Sequence, residues 1–194
     1  MPNIYITFVE NKSKSQIKKF IAQRIRDVEK LGRANHVAIV VESDNIKDCV
    51  VFHSVFPRPI SQTMKDFLIL NEPVLMYKKE VRNQQLLFEI MMWLSIKATH
   101  AEYGLTENLL IFIKRTWSQL AEYINVIKVN HDSRLNCSEY AMRFLAWAWP
   151  NDFTLERNED SLGLREVADV CNKQMLLLNQ EQVNLIKLNN GHVG

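Results

Sequence analysis

Two spacings of apolar residues predict an α+β fold with a small antiparallel sheet packed on a helix. Short runs rich in β-branched residues, "IYITFVE", "HVAIVVE" and "CVVFHSVF", are divided by turn-forming polar residues, as antiparallel strands require. Longer stretches repeat their apolar residues at helical spacing, most clearly "NCSEYAMRFLAWAWP". With 194 residues, 47% of them hydrophobic, the chain can bury a core as one domain without disulfide or metal support.

In chain order, Ile4 to Glu10 reads as a strand. "NKSKS" then offers Ser13 or Ser15 as a helix N-cap. Ile17, Phe20, Ile21, Ile25, Val28 and Leu31 form the apolar stripe of an amphipathic helix that ends near Gly32. Residues 36–42 and 49–56 read as a hairpin across "SDNIKD", whose Asp and Asn side chains favour a turn. "FPRPI" is expected to break that pairing, because proline donates nothing to a ladder. From about 60 to 80 the pattern decides little beyond a strand in "EPVLMYKKEV".

A densely apolar helix is expected from Gln84, and a second, capped by Thr106, from "TENLLIFIKRTWSQLAEYI". Together they form a helical insertion at about 84–124. Asn136 is placed to cap the next helix, with Glu139 at capping-box spacing and Tyr140, Ala141, Phe144, Leu145 and Ala148 along its apolar stripe. "SLGLREVADVCN" predicts a further short helix, and beyond Lys173 the pattern is ambiguous.

A formal charge of +2 makes no electrostatic case for nucleic acid. The early basic cluster reads as the solvated face of its helix, with a membrane-surface module as the rival use. No run of apolar residues is long enough for a transmembrane segment. "MPNIYITFVE" lacks the marks of a signal peptide, and Cys49, Cys137 and Cys171 are odd in number and irregularly spaced. A cytoplasmic protein with reduced thiols is the expectation.

Cys137 opens a helix, where unpaired backbone amides and the helix dipole favour a thiolate nucleophile. The same position suits a small apolar residue at the start of a buried helix. On the hairpin, a tight turn at Asp44-Asn45 sets His36 opposite His53. Register shifts of two residues keep both imidazoles on one face, whereas a one-residue slip separates them. Two histidines and a cysteine suit a nucleophile, a base and an orienting group, with helix-start amides as an oxyanion hole. They also make an incomplete zinc set, which His131 or Asp132 could extend. His100 sits in an apolar helix and is read as structural. No cofactor is expected. Met91, Met92 and Trp93 are candidates for an apolar substrate groove.

The stretches "NHVAIVVE", "VVFHSVF" and "NCSEYAMRFL", in that order, resemble the circularly permuted papain-like cysteine hydrolases of the NlpC type. That group includes the lecithin:retinol acyltransferase-like proteins and bacterial, phage and poxvirus members. In it the histidine strand precedes the cysteine helix, "HVAIV" matches the histidine strand, and "NCSEY" carries features of the nucleophile motif. The resemblance implies a permuted papain-like domain over 1–194, with Cys137 as nucleophile, His36 as base and His53 as the orienting residue. It implies a hydrolase (amidase, peptidase or esterase) or an acyltransferase that works through an acyl-enzyme. The implied substrate is an amide, ester or thioester in a peptide, peptidoglycan fragment or lipid. A non-catalytic binding or structural protein that keeps the fold is the alternative. The acyltransferase branch often carries a C-terminal membrane anchor and a tighter turn than Val41 to Asp48, features this sequence does not display.

Overall fold

The strand expected at the N-terminus becomes β1 (Asn3–Asn11), and its first seven residues are all buried. A strand wet on one face would alternate, so continuous burial means that both faces are covered. The computed structural model describes residues 2–12, 22–23, 25–27, 29–42, 49–55, 58–100, 136–154 and 162–191. The readings at Ser13, Ser15, the Asp44-Asn45 turn, the helix at Thr106, His131 and Asp132 lie outside them.

Residues 22–23, 25–27 and 29 are helical, and the chain leaves this helix through left-handed φ at Lys30 (54°) and Gly32 (61°). It then enters β2 (His36–Val41), followed by β3 (Val50–Ser54) and β4 (Pro59–Thr63). A short helix, α1 (Met64–Leu70), leads into β5 (Asn71–Glu80) and the long α2 (Gln84–His100). After α3 (Cys137–Ala148) come α4 (Leu164–Gln174), a two-residue strand β6 (Leu176–Leu177) and α5 (Gln180–Gly191). The strands form one antiparallel sheet in the order β4-β3-β2-β1-β5-β6.

Alternation along the strands divides the core in two. Ile4, Ile6, Phe8, Val37, Ile39 and Phe52 point to the face covered by α2, α3 and α4. Tyr5, Val9, Ala38, Val40 and Val51 point to the other, covered by Met64 and Phe67 of α1 and Val183 of α5. The sheet is therefore larger than expected and has helices on both sides.

The β2–β3 pairing ends before "FPRPI", and a new pairing begins within it. Pro59 opens β4, which lies at the sheet edge and pairs back on β3 from Ser54↔Pro59 onward. Proline is tolerated at the first residue of an edge strand because the missing N–H costs no central ladder bond. The undecided stretch from 60 to 80 thus holds the end of an edge strand, a helix capped by the Thr63 hydroxyl, and the expected strand over 71–80.

The cysteine helix forms as its sequence suggests. Asn136 Oδ1 accepts from the Glu139 amide at 2.8 Å, and the Glu139 carboxylate accepts from Arg143 one turn on at 2.8 Å. Tyr140, Ala141, Phe144, Leu145 and Ala148 are all buried. The helix closes with Trp149 N–H donating to the Leu145 carbonyl, just before Pro150.

Candidate active site

His36 is the first residue of β2, and His53 is the fourth of β3. The strands pair at Val41↔Val50, Val40↔Val51 and Ile39↔Phe52. Continuing that ladder sets Ala38 beside His53 and His36 beside Val55, so the histidines are diagonal neighbours and not directly opposed. The register departs from the tight-turn expectation by two residues, which preserves the face. Both rings therefore lie on the α1 side of the sheet, and His36 Nε2 meets His53 Nδ1 at 2.9 Å. Diagonal positions on paired strands are within reach of long side chains.

Burial sets the protonation of the pair. His36 is 8% exposed and His53 4%. Burial pushes the His36 pKa well below its ordinary 6.5, and the charge of a protonated His53 would push it further the same way. His53 is lowered to about 4 by burial. Its ring stands edge-on to Phe67, with centroids 5.1 Å apart and planes at 84°. At neutral pH the pair is uncharged, so one ring donates and the other accepts.

This has a measurable consequence for stability. Above pH 6.5 neither the folded nor the unfolded chain protonates these rings, and nothing is lost. As the pH falls below 6.5 the unfolded chain takes up protons first, and the native state weakens until its own lower pKa is reached. For His53 the interval from 6.5 to about 4 corresponds to about 3 kcal/mol. Urea unfolding is expected to show a smaller drop in stability from pH 7 to pH 4 for His53→Gln than for the native chain. Equal drops would count against the buried neutral imidazole.

Cys137 is the first residue of α3 and packs with the other face of the sheet, among Val37, Ile39 and Tyr140. The helix-dipole argument anticipates a lowered thiol pKa, but here the thiol is raised. Burial is the largest cause, and hydrogen bonds to the sulfur from the Val37 backbone, the Ser138 side chain and the Ser138 and Cys137 backbone oppose it. At 8% exposure the lost hydration outweighs those four contacts. The Val37 bond ties the sulfur to the strand residue immediately after His36.

The structure thus brings His36 and His53 into direct contact and fixes Cys137 to the backbone one residue away. The hydrogen bonds of the two central groups go elsewhere: His36 Nε2 to His53, and the sulfur to Val37 and the first turn of α3. Among the described residues no hydrogen bond joins the sulfur to either imidazole, and Cys137 and the two rings lie on opposite faces of the sheet. Sequence reasoning missed Phe67, which lies in the undecided stretch, and the Val37 amide, which no residue type advertises.

Met91, Met92 and Trp93 are consecutive on a helix and so point in different directions. Trp93 stacks on Trp147 at 5.5 Å and on Tyr140 at 6.0 Å, which docks α2 on α3. Met92 is exposed instead, in a stripe with Phe88 and Ile96. Among the described residues, no group of three or more His, Cys, Asp or Glu could hold a metal ion. No described helix is long and apolar enough to cross a membrane. No protein family, curated protein or solved structure matches the chain.

Proposed function

We propose that the chain is a cysteine hydrolase or acyltransferase, acting on an amide, ester or thioester through an acyl-enzyme, in a circularly permuted papain-like domain. The observation that carries this reading is the buried His36–His53 hydrogen bond, one strand residue from the backbone that holds the Cys137 sulfur. Buried polar pairs are costly to build in an otherwise apolar sheet face, and a general base needs an orienting partner.

In the proposed cycle the ring of His36, the first residue of β2, comes round the strand end to the Cys137 side of the sheet, where Nδ1 takes the proton from the thiol as the sulfur attacks the substrate carbonyl. The carbonyl π electrons move to oxygen, and amides of the first turn of α3, which lack intrahelical acceptors, receive the oxyanion. Collapse breaks the bond to the leaving amine, alcohol or thiol, which takes the proton back from His36. Water or an acceptor nucleophile, deprotonated by the same nitrogen, then releases the acyl group and restores the thiol. Because burial keeps the thiol and the imidazole neutral, the proton moves during attack, not before it.

The test is selective labelling of native protein with a mild thiol electrophile, located by mass spectrometry. Cys49 and Cys171 are buried too, and burial pushes the Cys171 thiol up to about 12. Cys137 is expected to react at least about tenfold faster than either, as thiols beside a base do. Equal rates at all three cysteines would remove the enzyme reading.

A second reading rests on one specific observation. Burial raises the thiol and lowers the imidazole, which disfavours the thiolate–imidazolium pair. A non-catalytic binding protein that keeps the same fold would carry just such an inert pair. It predicts no acyl adduct at Cys137 with activated esters or thioesters.

A further inference from the structure

At the end of the sheet that carries His36, the main-chain ladder runs short. Val9 is the last β1 residue paired with β2, opposite His36. On its other side Val9 faces Pro73, which has no N–H to donate, and the β1–β5 register shifts between Phe8 and Val9. Asparagine side chains supply hydrogen bonds there instead. Asn11 N–H donates to Asn35 Oδ1 at 2.9 Å, and Asn11 Nδ2 donates to Asn71 Oδ1 at 2.8 Å. Asn71 Nδ2 in turn donates to the Phe67 carbonyl at 2.9 Å.

This run of amides meets backbone at both ends, which settles how each one points. A backbone N–H only donates and a carbonyl only accepts. Asn35 must therefore turn its oxygen to Asn11, and Asn71 its nitrogen to Phe67. That leaves the Asn71 oxygen for the Asn11 side-chain amide. Asn35 and Asn71 are each 5% exposed, so water competes little for these bonds.

Followed in space, the contacts close on themselves. Phe67 stands edge-on to His53 at 5.1 Å, and His53 Nδ1 meets His36 Nε2 at 2.9 Å. His36 follows Asn35 in the chain, and the Asn35 N–H is itself held by the Val9 carbonyl at 2.9 Å. The circuit thus passes through β1, β2, β3, α1 and β5. An imidazole held by one hydrogen bond can still turn about that bond. Here each ring is restrained from a second side, His36 by the fixed backbone at Asn35 and His53 by the Phe67 ring.

We propose that Asn11, Asn35 and Asn71 act as a clamp on the histidine pair, with Asn11 and Asn71 as positioning residues that work through Phe67. The clamp keeps the two rings at bonding distance and shields their shared proton from solvent. Its use in catalysis rests on the proposed cysteine mechanism; the clamp itself does not. The plainer role for Asn71 is a cap on the last turn of α1, and that role has no need of the Asn11 side chain.

Solvent exchange of the imidazole proton between His36 and His53, followed by NMR on the ¹⁵N-labelled full chain, tests the clamp. In the native protein this proton is expected to be visible and slow to exchange, and its absence would overturn the proposal. Asn11→Ala removes the bond to Asn71 but keeps the backbone bond to Asn35 and the Asn71 cap on α1. It is expected to speed the exchange about tenfold, the scale of one hydrogen bond. The backbone amides of β2 and β3 should keep their native protection, which marks the opening as local. Asn71→Ala is expected to speed it at least as much. The double variant should be no faster than Asn71→Ala, because either change opens the same circuit. A native rate in Asn11→Ala would refute the clamp and leave Asn71 as a cap alone. Effects that multiply in the double variant would refute it as well. Should Asn71→Ala fail to fold, Asn11→Ala alone decides. If native Cys137 shows no selective reactivity, the cysteine mechanism fails while the exchange rates still judge the clamp.

Discussion

His36→Ala is expected to slow acylation of Cys137 by an activated ester or thioester by about 10²–10³-fold, the usual range for loss of a general base. The effect should be this large because the thiol is not ionised in advance. Burial raises its pKa, and in the proposed cycle His36 is the group that takes the proton as the sulfur attacks. His53→Ala should produce a smaller loss, since it leaves the base in place but free to rotate and to exchange tautomers. The readout is the rate at which an acyl adduct appears on Cys137 by mass spectrometry, in parallel with the unfolding curve of each variant. An alanine variant that folds and acylates at the native rate would show that His36 is a structural residue.

The largest stability effect is expected at Phe144. Its side chain is fully buried on α3, with ring centroids 6.0 Å from Trp93 of α2 and 5.9 Å from Trp149 beyond the helix end. Truncation to alanine loses the transfer energy of the ring and leaves two tryptophans without their common neighbour, a cost of about 4 kcal/mol. Urea unfolding of Phe144→Ala should show a midpoint lowered in proportion, with an unchanged slope. A loss below about 1 kcal/mol would mean that the aromatic cluster re-packs around the gap. Because Phe144 anchors the helix that bears Cys137, the folded fraction of this variant should also lose its selective labelling.

What could be read before any coordinates depended on how local the signal was. β1, β2, β3 and the cysteine helix announce themselves through period and caps, down to the bond from Asn136 to Glu139. The shared face of His36 and His53 was legible because it depends only on whether the register shift is even. Their exact level was not, since the length of the intervening loop sets it. The α1 helix, seven residues long, is too short to display a period, and β4 reads "PISQT", an edge strand with few apolar residues to mark it. Phe67 follows the histidines in sequence, and only the packing of α1 brings its ring against His53. The thiol shows the reverse case: position at a helix start favours ionisation, but the burial that opposes it follows from tertiary packing.

The sheet order also bears on how the chain matures. Strands β1 to β4, with both imidazoles, are complete by residue 63, and β5 closes the second edge of β1 by residue 80. The thiol arrives only at residue 137, on a helix that packs on the face opposite the rings. Domains acquire structure as they leave the ribosome, N-terminal part first. The growing chain can therefore assemble the strands that carry both imidazoles while the sulfur is still in the exit tunnel or not yet made. A reactive thiol released early onto an unfinished polypeptide would be open to oxidation and stray acylation. Here the order of the elements delivers the Cys137 thiol after β1 to β5, onto a sheet already formed.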